Sequence, residues 1–156
     1  MAGEKIQWRT IVATLLVIQS GMPSVLLAAP TAITKTQDLQ FGKFAGGSGA
    51  AGTVTIGTTG ARSSSGSVIL LTGTFEPGGF TITGNAGKTY NLTLPASFSV
   101  TSGTYQMNVA SITSSIPVAG VFPASGTLPF TVGGTLTVTS SQNKGAYSGS
   151  LTVTVK

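Results

Sequence analysis

Apolar residues alternate with threonine or serine along much of the chain. The pattern is clearest in Thr53-Val54-Thr55-Ile56, Phe80-Thr81-Ile82-Thr83, Tyr90-Asn91-Leu92-Thr93-Leu94, Thr135-Leu136-Thr137-Val138-Thr139 and Ser150-Leu151-Thr152-Val153-Thr154-Val155. A period of two puts one set of side chains in a core and the other in water, so each segment predicts a half-buried β-strand. Threonine is β-branched and favours extended backbone even on the wet face. Ser67–Thr72 differs, because Val68-Ile69-Leu70-Leu71 is an unbroken apolar run. It predicts a strand covered on both faces.

Turn-forming residues separate these segments. Gly46–Gly52 reads as a flexible loop. Thr58-Thr59-Gly60, Glu76–Gly79, Gly84–Gly87, Thr101–Gly103, Ser125-Gly126, Gly133-Gly134 and Asn143–Gly145 read as turns. From Ala29 onward no segment has apolar residues at helical spacing, and Pro95, Pro117, Pro123 and Pro129 oppose helix further. About seven to ten short strands at this spacing predict an all-β fold, an antiparallel β-sandwich. Its expected core is Leu39, Phe41, Val54, Ile56, Ile69, Leu71, Phe80, Ile82, Leu92, Leu94, Val109, Leu136, Val138, Leu151 and Val153.

The beginning of the chain follows another pattern. Glu4, Lys5 and Arg9 leave a net positive start, Ile11–Ile18 is mostly apolar, and Val25-Leu26-Leu27-Ala28-Ala29 ends in small residues. That order predicts a secretory signal over residues 1–28, cleaved after Ala28 or Ala29. Gly21 and Pro23 interrupt the apolar stretch. A spanning helix needs about 20 uninterrupted apolar residues, so cleavage is expected in preference to anchoring. The remainder, 29–156, is expected to be a single domain: an N-terminal extension with the first strand over 29–44, then the sandwich over 45–156.

Composition narrows the chemistry. The chain has no Cys and no His, and charged residues make up 7% of it. Disulfides, thiol chemistry, Cys/His zinc sites and a Ser-His-Asp relay are therefore excluded. From Ala29 on, the only carboxylates are Asp38 and Glu76, too far apart in sequence to suggest a glycosidase pair or a calcium loop. Arg62-Ser63-Ser64-Ser65-Gly66 has serines but no Ser-x-x-Lys spacing, and Gly60 to Gly66 lacks the ending of a phosphate loop. One non-enzymatic covalent option is a bond between Lys43 or Lys88 and an Asn such as Asn91, assisted by Glu76. No catalytic residue, cofactor or metal is expected. Lys35, Lys43, Arg62, Lys88, Lys144 and Lys156 are single and scattered. Such isolated cations suit solubility and protection of strand edges better than a nucleic-acid surface.

Several segments carry a family resemblance. Ile33-Thr34-Lys35-Thr36-Gln37-Asp38-Leu39-Gln40-Phe41-Gly42-Lys43-Phe44-Ala45 resembles the "Q-D-L-x-F-G-x-F" opening of DUF4402, a family of exported bacterial domains of unknown function. Thr89–Pro95, Gly133–Val138 and Gly145–Val155 are similar in style, so the resemblance spans nearly all of 29–156. The two ends are also similar to subunits of chaperone–usher pili and spore-coat-U-like proteins. Those are incomplete Ig-like sandwiches completed by a neighbour's N-terminal strand. The resemblance implies an Ig-like, pilin-like sandwich, with Ile33, Leu39 and Phe41 as the strand-exchange residues. This chain departs from pilins in having no paired Cys, in Lys35 and Gln37 at alternate positions of the extension, and in ending on Lys156.

Three functions compete on this reading. The first is an exported, non-catalytic structural subunit of the bacterial envelope or cell surface, assembled by strand exchange into a fimbria-like filament. Its partners would be copies of itself or envelope proteins, with no nucleic acid and no membrane span after cleavage. It would be located in the periplasm, on the outer surface or in an extracellular filament. The second is a secreted glycan- or surface-binding adhesin module, with Tyr90, Tyr105 and Tyr147 as contacts; packing, or a tyrosine corner, is their simpler role. The third is a small outer-membrane barrel, disfavoured by short strands and 7% aromatic residues.

Overall fold

The computed structural model describes residues 31–46 and 49–156, so the export signal expected over residues 1–28 lies outside the described residues. The strands are β1 (Ala32–Gln37), β2 (Phe44–Ala45), β3 (Gly52–Ile56), β4 (Arg62–Gly66), β5 (Ile69–Leu70), β6 (Gly78–Thr83), β7 (Thr89–Thr93), β8 (Ser97–Ser102), β9 (Tyr105–Ser114), β10 (Ala119–Val121), β11 (Thr127–Val138) and β12 (Thr154–Val155). All pairings are antiparallel, and there is no helix among the described residues. The fold is an all-β sandwich.

The long strand β11 organises it. Val132 faces Gly78 of β6 on one edge and Ser114 of β9 on the other, while Leu136 faces Val54 of β3 and Val109 of β9. Strands β6 and β3 therefore lie end to end along one edge of β11, with β9 along the opposite edge. The first half of β11 continues the β1-β6 pair. The second half is the centre of a five-strand order, β4-β3-β11-β9-β8. Strands β4 and β8 do not pair with each other, so the sheet stays open.

The expected turn at Gly133-Gly134 is instead the middle of β11. Both glycines are buried, and a Cβ on Gly133 would strike the Ile56 carbonyl and the Gly57 carbonyl carbon. Glycine is needed there because β3 hands over to β6 against the β11 backbone. The register of β11 against β9 also slips between Gly133 and Thr135. On β9 the surplus is taken up near Ser111, the one described non-glycine residue with positive φ (51°). This is a β-bulge.

Alternation placed the core as expected along β3, β6, β7 and the second half of β11. Two clusters result. One holds Val54, Val68, Val100, Met107, Val109, Leu136 and Val138. The other holds Phe80, Ile82, Tyr90, Leu92, Phe122, Phe130 and Val132. Phe80 and Phe130 are register partners and stack at 5.4 Å. Such a pair contributes about 0.5–1.5 kcal/mol beyond its area. The three-strand sheet β10-β7-β12 covers this second cluster. On the outward face, hydroxyls bond across strands, Thr53 to Ser65 (2.7 Å) and Thr55 to Thr135 (3.0 Å).

Two further expectations are corrected. Ser67–Thr72 does not form a strand covered on both faces. Only Ile69–Leu70 pairs, with Phe44–Ala45, and alternation is restored: Val68 turns inward while Ile69 (61%) and Leu71 (47%) stay exposed. Both therefore leave the expected core. The last segment is ladder-paired only at Thr154–Val155, although Leu151, Val153 and Val155 still pack half-buried on the second cluster. The tail pairs Ser148 with Thr101 and Thr154 with Thr93. Between those points seven residues of the β7–β8 side (94–100) face five of the tail (149–153). The surplus lies around Pro95, which has no N–H to offer, so periodic side chains dock without a continuous ladder.

Candidate functional site

The first core cluster has no regular second sheet above it. Its cover is the short β2-β5 pair and two irregular runs, 37–43 and 142–151. Between these runs lies a groove of about 1260 Å³. Its inner end reaches Phe98, Val100, Met107, Leu136 and Val138 on β8, β9 and β11, of which all but Phe98 are buried in the first core cluster. Leu39, Phe41 and Phe44 contribute to one wall, Tyr147 and Leu151 to the other.

Hydrogen bonds hold both walls. On the first, Gln40 and Glu76 exchange backbone bonds (2.8 and 2.9 Å), and Leu71 N–H donates to the Lys43 carbonyl at 2.9 Å. Arg62 then clamps the wall from β4. Its Nη1 donates to the Leu71 carbonyl (3.0 Å) and its Nη2 to the Lys43 carbonyl (2.6 Å). The guanidinium also lies 5.3 Å from the Phe75 ring centroid, in cation–π geometry. Desolvation lowers the Arg62 pKa from its ordinary value, and its Nε is buried with no hydrogen-bond partner among the described residues. On the second wall, the Tyr147 hydroxyl donates to the Asn143 carbonyl (2.8 Å) and accepts from Gln142 Nε2 (2.7 Å). Gln142 Oε1 accepts in turn from Thr139 (3.1 Å). A tyrosine bonded to backbone four residues upstream behaves like a tyrosine corner.

The charges around the groove are uneven. Lys35, Lys43 and Lys144 line it, with Asp38 as the only acid. Lys35 Nζ sits 2.6 Å from Asp38 Oδ1, both well exposed, a pair worth about 0–1 kcal/mol. Among the described residues no other ion pair forms, so Lys43 and Lys144 have no acidic partner. Nor do three or more His, Cys, Asp or Glu side chains come together as a metal set among those residues.

The residues expected from sequence are spread over the molecule. Ile33 lies half-buried on β1, in register with Ile82, and packs on the second cluster. Phe41 packs on the first cluster, and Leu39 lines the groove. The three therefore do not form one surface. Tyr90 is only 3% exposed and tilts against Phe122 at 5.4 Å. As a surface contact it is corrected: alternation along β7 turns it inward with Leu92. Tyr147 is half-buried with its hydroxyl occupied. Tyr105, 50% exposed where β9 leaves the β8 hairpin, keeps an open ring. Asn91 is exposed on β7, and Glu76 is paired with Gln40, so the supposed partners of a Lys–Asn bond stand on different elements.

Sequence reasoning missed Arg62 as a clamp. It sits after a turn like any edge-protecting cation, and its acceptors are carbonyls 9 and 19 residues away. No local signal marks that. It missed the groove too, because its lining comes from runs about a hundred residues apart in sequence.

A family model described as "Domain of unknown function (DUF4402)" matches residues 31–156. No curated protein and no solved structure matches the chain.

Proposed function

The chain belongs to the DUF4402 family, and we propose that it is an exported, non-catalytic structural subunit of the bacterial envelope or surface whose copies join by exchanging the N-terminal strand. The observation that carries this reading is β1. It opens the described chain and pairs through β6 alone, in five register pairs from Ala32–Thr83 to Gln37–Gly79. Only Ile33 and Gln37 are half-buried; its other four residues are exposed. Such a strand loses little apolar contact on leaving, and the vacated edge of β6 suits the same strand of another copy equally well. Ile33 is the anchoring side chain, and Leu39 and Phe41 bridge from the exchanged strand to the body. The apolar leader read in residues 1–28 and the scarcity of proton-transfer groups support export and a non-catalytic role.

Deleting Ala32–Gln37 tests the reading. The deleted protein is expected to elute as a folded monomer while the full domain associates. Filaments or oligomers of the deleted protein, seen by size exclusion and electron microscopy, would count against it. The glycan-binding alternative is weaker, since only Tyr105 of its three aromatic contacts has an open face.

A further inference from the structure

We propose that the unit exchanged between copies runs past β1 to Gln40, that Phe41 and Gly42 are its hinge, and that the left-handed backbone at Gly42 governs the balance between closed and exchanged chains. The inference rests on the strand-exchange reading and specifies where that exchange begins and what controls it.

Register marks the first boundary. Gln37 pairs with Gly79 and Gln40 bridges to Glu76, so the two contacts are three residues apart on each strand and no register is lost between them. Leu39 stays against the same neighbour, since a Cβ on Gly78 would meet its Cβ at 3.4 Å. Residues 32–40 are therefore one arm lying on residues 76–83. The Lys35–Asp38 ion pair lies wholly within this arm and moves with it.

The second boundary is Lys43. Its carbonyl accepts from the Leu71 N–H and from Arg62 Nη2, and Phe44 and Ala45 follow in register with Leu70 and Ile69. From Lys43 onward the chain is bonded to the body. Only Phe41 and Gly42 lie between the boundaries, and they face four residues, 72–75.

Gly42 carries the change of direction. Its φ is 71°, and a Cβ there would stand 3.0 Å from the Thr74 carbonyl oxygen and 3.1 Å from Arg62 Cζ. Glycine adopts this conformation without the penalty that a Cβ adds. In an exchanged pair the chain leaves Gln40 on one copy and enters Lys43 on the other, so the hinge runs extended. The neighbour re-forms every contact of the arm, and the kink is the one feature that is not re-formed. A change in the cost of the kink therefore acts on the exchange equilibrium in full.

Cysteine pairs locate the hinge. Two copies carrying one substitution each are mixed, refolded and oxidised. Thr34→Cys with Thr81→Cys, and Gln40→Cys with Glu76→Cys, should link the copies. Ala45→Cys with Ile69→Cys should not, because β2 stays on its own β5. Linkage at the first pair without the second overturns the hinge, as does linkage between copies at the third. If none of the three mixtures links copies, strand exchange itself fails and the hinge with it.

Substitution tests the control. Gly42→Val should raise the ratio of exchanged to closed chains, read at equilibrium by size exclusion, about five- to thirtyfold per copy. Gly42→Ala should move it the same way by a smaller factor, which keeps the test intact if the valine variant does not fold. Gly87 is the comparison: its φ is 73°, nothing lies within 4 Å of a Cβ there, and it is outside the arm. Gly87→Val should lower the unfolding temperature and leave the ratio unchanged. A ratio that ignores Gly42, or rises equally with Gly87→Val, overturns the proposal.

Discussion

Arg62 Nη2 donates to the carbonyl of Lys43 at 2.6 Å, joining strand β4 to the wall of the groove across 19 residues of chain. The same guanidinium reaches Leu71 and covers Phe75, so one side chain gathers three segments that pair little by themselves. Arg62→Ala should lower unfolding stability by about 2 kcal/mol, the scale of hydrogen bonds made by a charged donor. Arg62→Lys should recover less than half of that, because a point ammonium cannot fork to two carbonyls. Urea midpoints at constant m-value measure both. The lowered pKa means the folded state releases this proton before the unfolded chain does, so its contribution to stability changes only at strongly alkaline pH and is constant around neutrality.

Gly120 lies opposite Tyr90 in the β10–β7 pair, and a Cβ there would approach the Tyr90 hydroxyl oxygen at 2.6 Å and ring carbons at 2.8 and 2.9 Å. The glycine makes room for the buried ring. Gly120→Ala should cost about 1–3 kcal/mol through overpacking. In a Tyr90→Leu background the same change should cost much less, and a double-mutant cycle reads the coupling directly.

Ser111 holds a left-handed backbone (φ 51°) at the bulge of β9. Ser111→Val should destabilise by about 1–2 kcal/mol, since a β-branched side chain tolerates that region poorly. Ser111→Asn and Ser111→Gly should not. Thermal unfolding of the three variants distinguishes a conformational requirement from a side-chain contact.

The tail predicts an uneven pattern of hydrogen exchange. The N–H groups of Asn91, Thr101, Ser148 and Lys156 are bonded across the tail contact at 2.8–3.0 Å. Residues 149–153 have no ladder partner. Ser148 and Lys156 should exchange slowly and 149–153 quickly, although Leu151 and Val153 are half-buried.

Much of the sandwich was legible in the chain because alternation is a local signal. Val54, Ile56, Phe80, Ile82, Leu92, Leu136 and Val138 could be assigned to the core from spacing alone, and they are buried. Where the reading failed, a non-local fact decided. Gly133-Gly134 resembles a turn in sequence, but two other strands meet against it. Ile69 and Leu71 look buried, but β5 has one short neighbour and no second layer. Phe130 and Met107 lie in alternating runs, Leu128-Pro129-Phe130-Thr131-Val132 and Tyr105-Gln106-Met107-Asn108-Val109, that the expected core drew on only at Val109, whereas Phe122 has no such run. Of the expected surface residues, Tyr90 failed because strand parity outweighs its polar tip. The groove had no local signature in the sequence, because residues 37–43 and 142–151 line it together.

Strand exchange through β1 is the central claim, and cysteine trapping tests it most directly because the chain has no cysteine of its own. Thr34 and Thr81 face each other between β1 and β6. A chain carrying both Thr34→Cys and Thr81→Cys should close a disulfide within itself when monomeric. Two chains carrying one substitution each, refolded together and oxidised, should give a covalent product joining Thr34→Cys of one copy to Thr81→Cys of the other. If the double variant closes internally and the mixed single variants never cross-link, β1 stays with its own chain and strand exchange is contradicted.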